Sequence, residues 1–213
     1  MGKLYNDLGS YLKDTFGEKI FKVSLDAGLG CPNLDGRISR DGCSFCNNSS
    51  IMPNSAFTGP DIMKQLDEGI RYISKRHKSS KFIAYIQRYT GTCSDLARLK
   101  EIYEPLVSDD RVTGLAVSTR PDCIDENISD YLMDVASRKF FWLELGLQSV
   151  HDRTLKRINR GHLLSDFEKA FRAAKDRDIR VCVHVIFGLP GESRNDMLDT
   201  VKKLSSLGIW GIK

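Results

Sequence analysis

Apolar residues with a two-residue period alternate with apolar residues at helical spacing along nearly the whole chain, and that alternation leaves few folds open. Strands are expected over 20–25, 82–87, 112–119, 140–148 and 180–187. Ile62, Leu66, Ile70 and Ile73 mark a helix over 61–77, with Pro60 suited to its first turn. Leu96, Leu99, Tyr103 and Leu106 mark a second helix, and Ile128, Leu132 and Val135 a third. Ser165-Asp166-Phe167-Glu168 reads as a capping box opening a fourth, which carries Phe167, Ala170, Phe171 and Ala174. A fifth covers about 195–206 and ends at Gly208, and 209–213 reads as the start of a sixth strand.

A strand–helix series of this kind builds a parallel sheet with helices outside it. Eight such units close a barrel of about 250 residues. Here five units are complete and a sixth has begun. The expected fold is therefore α/β, a partial, open, parallel (β/α)6-type barrel with its C-terminal part missing. The chain reads as one domain over 1–213, an N-terminal extension over about 1–19 followed by a barrel over about 20–213 that ends in the sixth strand. An open arc leaves its late edge unprotected, which is an association hazard, and gives a long polynucleotide lateral access.

Composition narrows the function classes. With 41% hydrophobic and 28% charged residues the chain is neither disordered, collagen-like nor a coiled coil. No run approaches the ~18 apolar residues of a membrane span. The N-terminus has no apolar signal region, so the expected location is the cytoplasm, with no membrane partner. The net charge of +4 permits a nucleic-acid partner without demanding one. The run Lys75-Arg76-His77-Lys78, followed by Lys81, reads first as a solvated helix end and second as an RNA footprint.

Alternate side chains of a strand point to opposite faces. In the fourth strand Phe141, Leu143, Leu145 and Leu147 suit packing under helices, which turns Trp142, Glu144, Gly146 and Gln148 inward. In the fifth, Val181, Val183 and Val185 face outward and Cys182, His184 and Ile186 inward. Ile83, Tyr85 and Gln87 share one face of the second strand, and Ser118 and Arg120 one face of the third. An interior lined by Gln87, Arg120, Glu144, Gln148 and His184 is too polar for packing alone. It is either a binding site or a satisfied buried network.

Six cysteines occur in a chain expected to be intracellular, where disulfides are rare. Cys93, Cys123 and Cys182 are isolated. Cys31, Cys43 and Cys46 crowd into one loop after the first strand, with the spacing C-x11-C-x2-C. A structural zinc site takes four ligands, usually as two close pairs. Here His77 or an isolated cysteine would have to supply the fourth. Three thiolates also suit an iron–sulfur cluster with one iron left open. The loop falls at the C-terminal mouth of the barrel, where sites of such folds lie.

These residues resemble the radical S-adenosylmethionine (radical SAM) superfamily. Phe45 fills that family's aromatic slot before the last cysteine. The long first gap, with Cys31-Pro32-Asn33-Leu34-Asp35-Gly36 and Gly42-Cys43-Ser44-Phe45-Cys46, is similar to a small bacterial branch related to the Elongator catalytic subunit. Further runs resemble that branch in order: Ser118-Thr119-Arg120-Pro121-Asp122, Glu144-Leu145-Gly146-Leu147-Gln148-Ser149, Asn159-Arg160-Gly161-His162, and His184-Val185-Ile186-Phe187-Gly188-Leu189-Pro190-Gly191-Glu192.

The resemblance implies a radical SAM enzyme. Cys31, Cys43 and Cys46 would hold a [4Fe–4S] cluster whose open iron is chelated by S-adenosyl-L-methionine, cleaved reductively to a 5′-deoxyadenosyl radical. It implies Phe45 and Gly188 near the adenine, Glu144 or Gln148 at the ribose or methionine part, His184 in the same pocket, and Arg120 on a carboxylate, with a lumen ion pair to Glu144 as the other reading of Arg120. The family's Gly-Gly-Glu is absent after the second strand, which leaves Gln87 as the group for the amino end. Gly36 and Gly42 are read as tight turns of the loop. tRNA, modified at its wobble uridine in a transferase-type reaction, is the implied substrate, and an electron donor such as flavodoxin or ferredoxin a further partner. Radical chemistry on a small molecule is the second reading, and a non-enzymatic metal-binding module the third.

Overall fold

The expected alternation is present in a computed structural model of the chain, which describes residues 4–47 and 61–213. The elements run α1 (Leu8–Phe16), β1 (Phe21–Leu25), α2 (Ile62–Ser74), β2 (Phe82–Ile86), α3 (Leu96–Ser108), β3 (Val112–Thr119), α4 (Glu126–Arg138), β4 (Phe140–Gln148), α5 (Asp152–Arg157), α6 (Leu164–Lys175), β5 (Arg180–Val185), α7 (Arg194–Leu207) and β6 (Gly211–Ile212). All six strands are parallel and lie in chain order. Among the described residues β1 pairs only with β2 and β6 only with β5, so the sheet is an open arc. Pro60 lies outside the described residues.

The period-two reading of the strands holds. Phe141, Leu143, Leu145, Leu147, Val181 and Val183 join Leu66, Leu99, Leu132, Phe167 and Leu204 in the large core between sheet and helices. Ile83, Tyr85, Ala116, Trp142 and Cys182 form a second apolar cluster on the concave side. Helix α1 caps that cluster from below with the buried Leu12, helped by Leu8, Tyr11 and Phe16. The N-terminal extension is therefore the floor of the barrel. Its start is set by Asp7, which accepts from Ser10 N at 2.9 Å, and its end by Gly17 at φ +75°.

Two boundaries differ from expectation. Helix α6 begins at Leu164, with Leu163 as its N-cap, so Ser165 sits inside the first turn. Asp166 reaches back to Leu163 N at 2.8 Å, and Asp152 accepts from Leu164 N at 2.8 Å. Two carboxylates thus satisfy two backbone donors at the helix start, Leu163 N at the cap and Leu164 N in the first turn. Strand β5 stops at Val185 rather than at residue 187. The register of β4 slips between Gly146 and Gln148, Gln148 takes φ +78°, and Ile186 N donates the last bond to Gln148 O at 3.0 Å. Ile186 then packs with Leu155, Ile158 and Leu189 in a small cluster at the mouth.

Candidate active site at the mouth of the open barrel

The cysteine loop is held by a turn far away in sequence. Asn33 Nδ2 donates to Asn159 O at 2.5 Å, Asn159 Nδ2 to Gly42 O at 2.7 Å, and Ser44 N to Ile158 O at 3.0 Å. Gly161, at φ +78°, makes the approach possible, because a Cβ there would lie 2.9 Å from Asn33 Oδ1 and from Ile38 Cγ2. Gly36 and Gly42 take φ of +94° and +71°, as tight turns require.

Cys31, Cys43 and Cys46 open together on one cavity of about 140 Å³. Larger depressions of about 600 and 500 Å³ exist, but they lie on the outer helices and at the bottom of the sheet, among exposed charged side chains. The mouth cavity also receives Phe45, Gln87, Gln148 and His184. Tyr89, Thr90, Ser118, Thr119, Gly146 and Arg160 line it too. None of these six was marked from the sequence as a site residue, although Ser118, Gly146 and Arg160 lie inside the quoted runs.

Two features of its lining suit this cavity to an anionic cluster. Both Asn33 Nδ2, at 3.3 Å, and Arg160 Nη1, at 3.5 Å, donate to Cys43 Sγ. Arg160 is buried, donates Nη2 to Gly146 O at 2.7 Å, and among the described residues has no partner for Nε. Burial pulls its pKa down from the usual guanidinium range, helped by the neighbouring Arg120, against the pull of Cys43. A buried cation with an idle N–H beside a thiol calls for negative charge. Thr90 Oγ1 is likewise buried without a partner among the described residues.

Arg120, by contrast, is already engaged. Its Nε and Nη2 grip Asp122 at 2.9 and 2.7 Å, and Nη1 donates to Arg160 O at 2.9 Å. It builds the wall of the cavity and does not pair with Glu144. Glu144 points inward but lies below the cavity. It accepts from Tyr85 Oη at 2.6 Å, Trp142 Nε1 at 3.1 Å and Lys213 Nζ at 3.1 Å, with His184 Nε2 at 3.7 Å. Burial alone would raise its pKa, but Lys213 and these donors outweigh burial and hold the carboxyl below the usual range. Lys213 Nζ also donates to Tyr85 Oη at 2.7 Å, and Lys22 lies 4.7 Å from the same ring, so cations from both open edges converge on one layer.

His184 sits between that network and the cavity. Burial, with Lys213 close by, pushes its pKa down to about 4, so the imidazole is neutral at physiological pH. His162 is also lowered to about 4, by burial and by Arg160, with Nε2 3.1 Å from Gly146 O. Gln87 Oε1 accepts from Ser24 Oγ at 3.1 Å. Gly188 stands off from the cavity, at φ +81°, with its N–H on Met197 Sδ at 3.3 Å.

The fold is an open parallel α/β barrel with three cysteines beside a buried cation at its C-terminal mouth. The chain belongs to the radical SAM superfamily, whose sequence pattern matches residues 35–204. That superfamily uses a [4Fe–4S] cluster and S-adenosylmethionine. YtqA, an uncharacterized protein of Bacillus subtilis, is 37% identical over 211 residues, which is 99% of this chain and 66% of that protein. The chain thus spans just under two thirds of this relative. The tRNA uridine(34) acetyltransferase of Methanocaldococcus infernus is 38% identical over 84 residues, 39% of this chain and 15% of that protein. A solved structure of the archaeal Methanocaldococcus infernus Elp3, deleted at its N-terminus, superposes with a TM-score of 0.59 at 18% identity. It covers 91% of this chain and 45% of that one, a likeness of fold. These matches relate the chain to the Elongator catalytic subunit. Among the described residues no helix is long and apolar enough to cross a membrane.

Proposed function

We propose that Cys31, Cys43 and Cys46 hold the [4Fe–4S] cluster and that the protein modifies tRNA at the wobble uridine. The observation that carries the cofactor assignment is the opening of three cysteines, with a buried cation against the middle one, on a single cavity at the strand ends. When bound there, the two cofactors supply a 5′-deoxyadenosyl radical and hence hydrogen-atom abstraction.

The chain's own residues orient and exclude. Arg160 takes over the role expected of Arg120, because Arg120 is spent on Asp122 and Arg160 holds the idle donor. It balances the negative charge of the cluster site and is the group to meet a carboxylate. Gln148, Gln87, Ser118 and Thr90 offer hydrogen bonds around the cavity, Phe45 an apolar face, and neutral His184 a further polar contact. Glu144 acts at one remove, by fixing His184 and Lys213. A small protein donor such as flavodoxin or ferredoxin would supply the electron.

The tRNA substrate is supported by the partial match to an acetyltransferase acting on tRNA uridine 34. The test is mass spectrometry of tRNA nucleosides from a strain lacking the gene. Loss of a modified wobble uridine is expected. An unaltered nucleoside profile would overturn the tRNA reading and leave the cofactor assignment standing.

A further inference from the structure

Cys93 and Cys123 have no part in the proposed cluster, yet the turns that carry them are bonded to each other beside the same mouth. Cys93 lies in the turn after β2, its N–H on Thr90 O at 3.0 Å, and Cys123 closes the short 3-10 turn after β3. Thr92 ties the two segments together, donating to Cys123 O at 2.6 Å and lying 2.6 Å from Thr119 Oγ1. From the opposite side comes Arg37, a residue of the cysteine loop. Its Nη2 donates to Cys93 Sγ at 2.8 Å and to Asp35 Oδ2 at 2.6 Å, while Nε spans both Asp35 oxygens at 3.1 Å.

The two sulfurs are chemically unequal. The hydrogen bond from Cys123 and the guanidinium of Arg37 bring the Cys93 thiol down to about 6, although burial works against them. Cys123 is raised, because it donates to Cys93 and is itself buried. At neutral pH the pair is one thiolate and one thiol, the division of labour of an attacking and a resolving cysteine.

We propose that Cys93 and Cys123 form a redox-active dithiol, which a hydroperoxide converts to a disulfide and which thereby takes from Arg37 its sulfur partner. The Cys93 thiolate attacks the peroxide, the O–O bond breaks, the alcohol or water leaves with a proton, and Cys93 becomes a sulfenic acid. Cys123 sulfur then attacks Cys93 sulfur, the S–O bond breaks, and the departing hydroxide takes the Cys123 proton as water. The two thiols lose two electrons and the peroxide gains them. The first step also removes the negative charge that held Cys123 protonated, which frees Cys123 for the second. With no thiolate beside it, Arg37 keeps only Asp35, and the cysteine loop loses its tie to the β2–α3 turn.

The test uses the 213-residue chain with its cluster, treated anaerobically with an equimolar amount of hydrogen peroxide, alkylated and digested with trypsin. Cys93 and Cys123 fall on separate peptides, 89–98 and 112–138. A crosslink between them that has lost two hydrogens and is reversed by dithiothreitol is expected. Recovery of both cysteines alkylated, or a crosslink from Cys93 to Cys31, Cys43 or Cys46, would overturn the proposal. A second measurement needs no disulfide. Arg37→Ala should slow iodoacetamide labelling of Cys93 at about pH 7 by about tenfold, with Cys182 unchanged. An equal rate in both proteins would show that Arg37 does not activate Cys93.

Discussion

The guanidinium of Arg160 lies against Cys43, Nη1 3.5 Å from Sγ across a separation of 117 residues, with its Nε buried and unpartnered among the described residues. A buried charge without a full complement of partners is costly. It persists in a folded chain when a ligand offsets the cost, and on the proposed reading that ligand would be the anionic cluster together with the carboxylate of S-adenosylmethionine. Arg160→Met should therefore weaken S-adenosylmethionine binding by about 100-fold, the loss of a charge-assisted bond of about 2–3 kcal/mol. It should not lower the urea midpoint of the cofactor-free chain, because the substitution removes an unpaired charge. Equilibrium dialysis and urea unfolding separate the two effects, and a large fall in stability would mark Arg160 as a structural residue.

Cys43→Ser should abolish iron retention after anaerobic reconstitution and reductive cleavage of S-adenosylmethionine. Cys182 is buried in the lower apolar cluster and its pKa is pushed up to about 12, first by burial and then by Glu144, so it is a poor ligand. Cys182→Ser should retain both. Iron content and 5′-deoxyadenosine yield are the readouts, and a full cluster in Cys43→Ser would remove the three-thiol assignment.

Stability should fall with acid in a defined window. His162 and His184 have folded pKa values of about 4 against 6.5 for a free imidazole. Between those values the unfolded chain binds more protons, so stability rises with pH and is lost as pH falls from 6.5 towards 4. Each histidine should cost about 1.5 kcal/mol between pH 6.5 and about pH 5. Glu144, with its pKa lowered, adds its loss only below the ordinary carboxylate range. Urea midpoints at the two pH values test this, and His162→Gln should flatten the difference.

Glu144→Gln should destabilise the chain by about 2–4 kcal/mol, since it leaves Lys213 and the Tyr85 hydroxyl without their buried charge partner. Lys213→Met should cost less, because Lys213 is more than one-third exposed and Glu144 keeps its bonds from Tyr85 and Trp142. Chemical unfolding of the two variants gives the order, and the reverse order would place the weight of the network on the lysine.

Gly161→Ala should loosen the cysteine loop. The left-handed φ of +78° and the contacts at 2.9 Å with Asn33 and Ile38 give an expected cost of about 1–2 kcal/mol at the docking turn. Faster tryptic cleavage after Arg37 and Arg40 is the measurement.

Much of this molecule was legible as a pattern. The helix-facing leucines of β4 and the inward Glu144, Gln148 and His184 follow from a strict period of two, which the pleat of a strand imposes locally. The six strands and their order follow from short crossovers that can only be right-handed and parallel. The cysteine spacing pointed to the loop because three thiols in sixteen residues have few other uses. What no local pattern carries is the pairing of side chains from distant segments. Arg120 and Arg160 look alike as arginines in short polar runs, yet Asp122 claims the first and the cavity leaves the second idle. Helix α1 has an ordinary amphipathic pattern and became the floor of the barrel because the concave apolar cluster needed cover. Glu144 was read rightly as inward, but its depth was set by where Tyr85, Trp142 and Lys213 converge, and that is decided by strand stagger and closure, which act across the whole sheet.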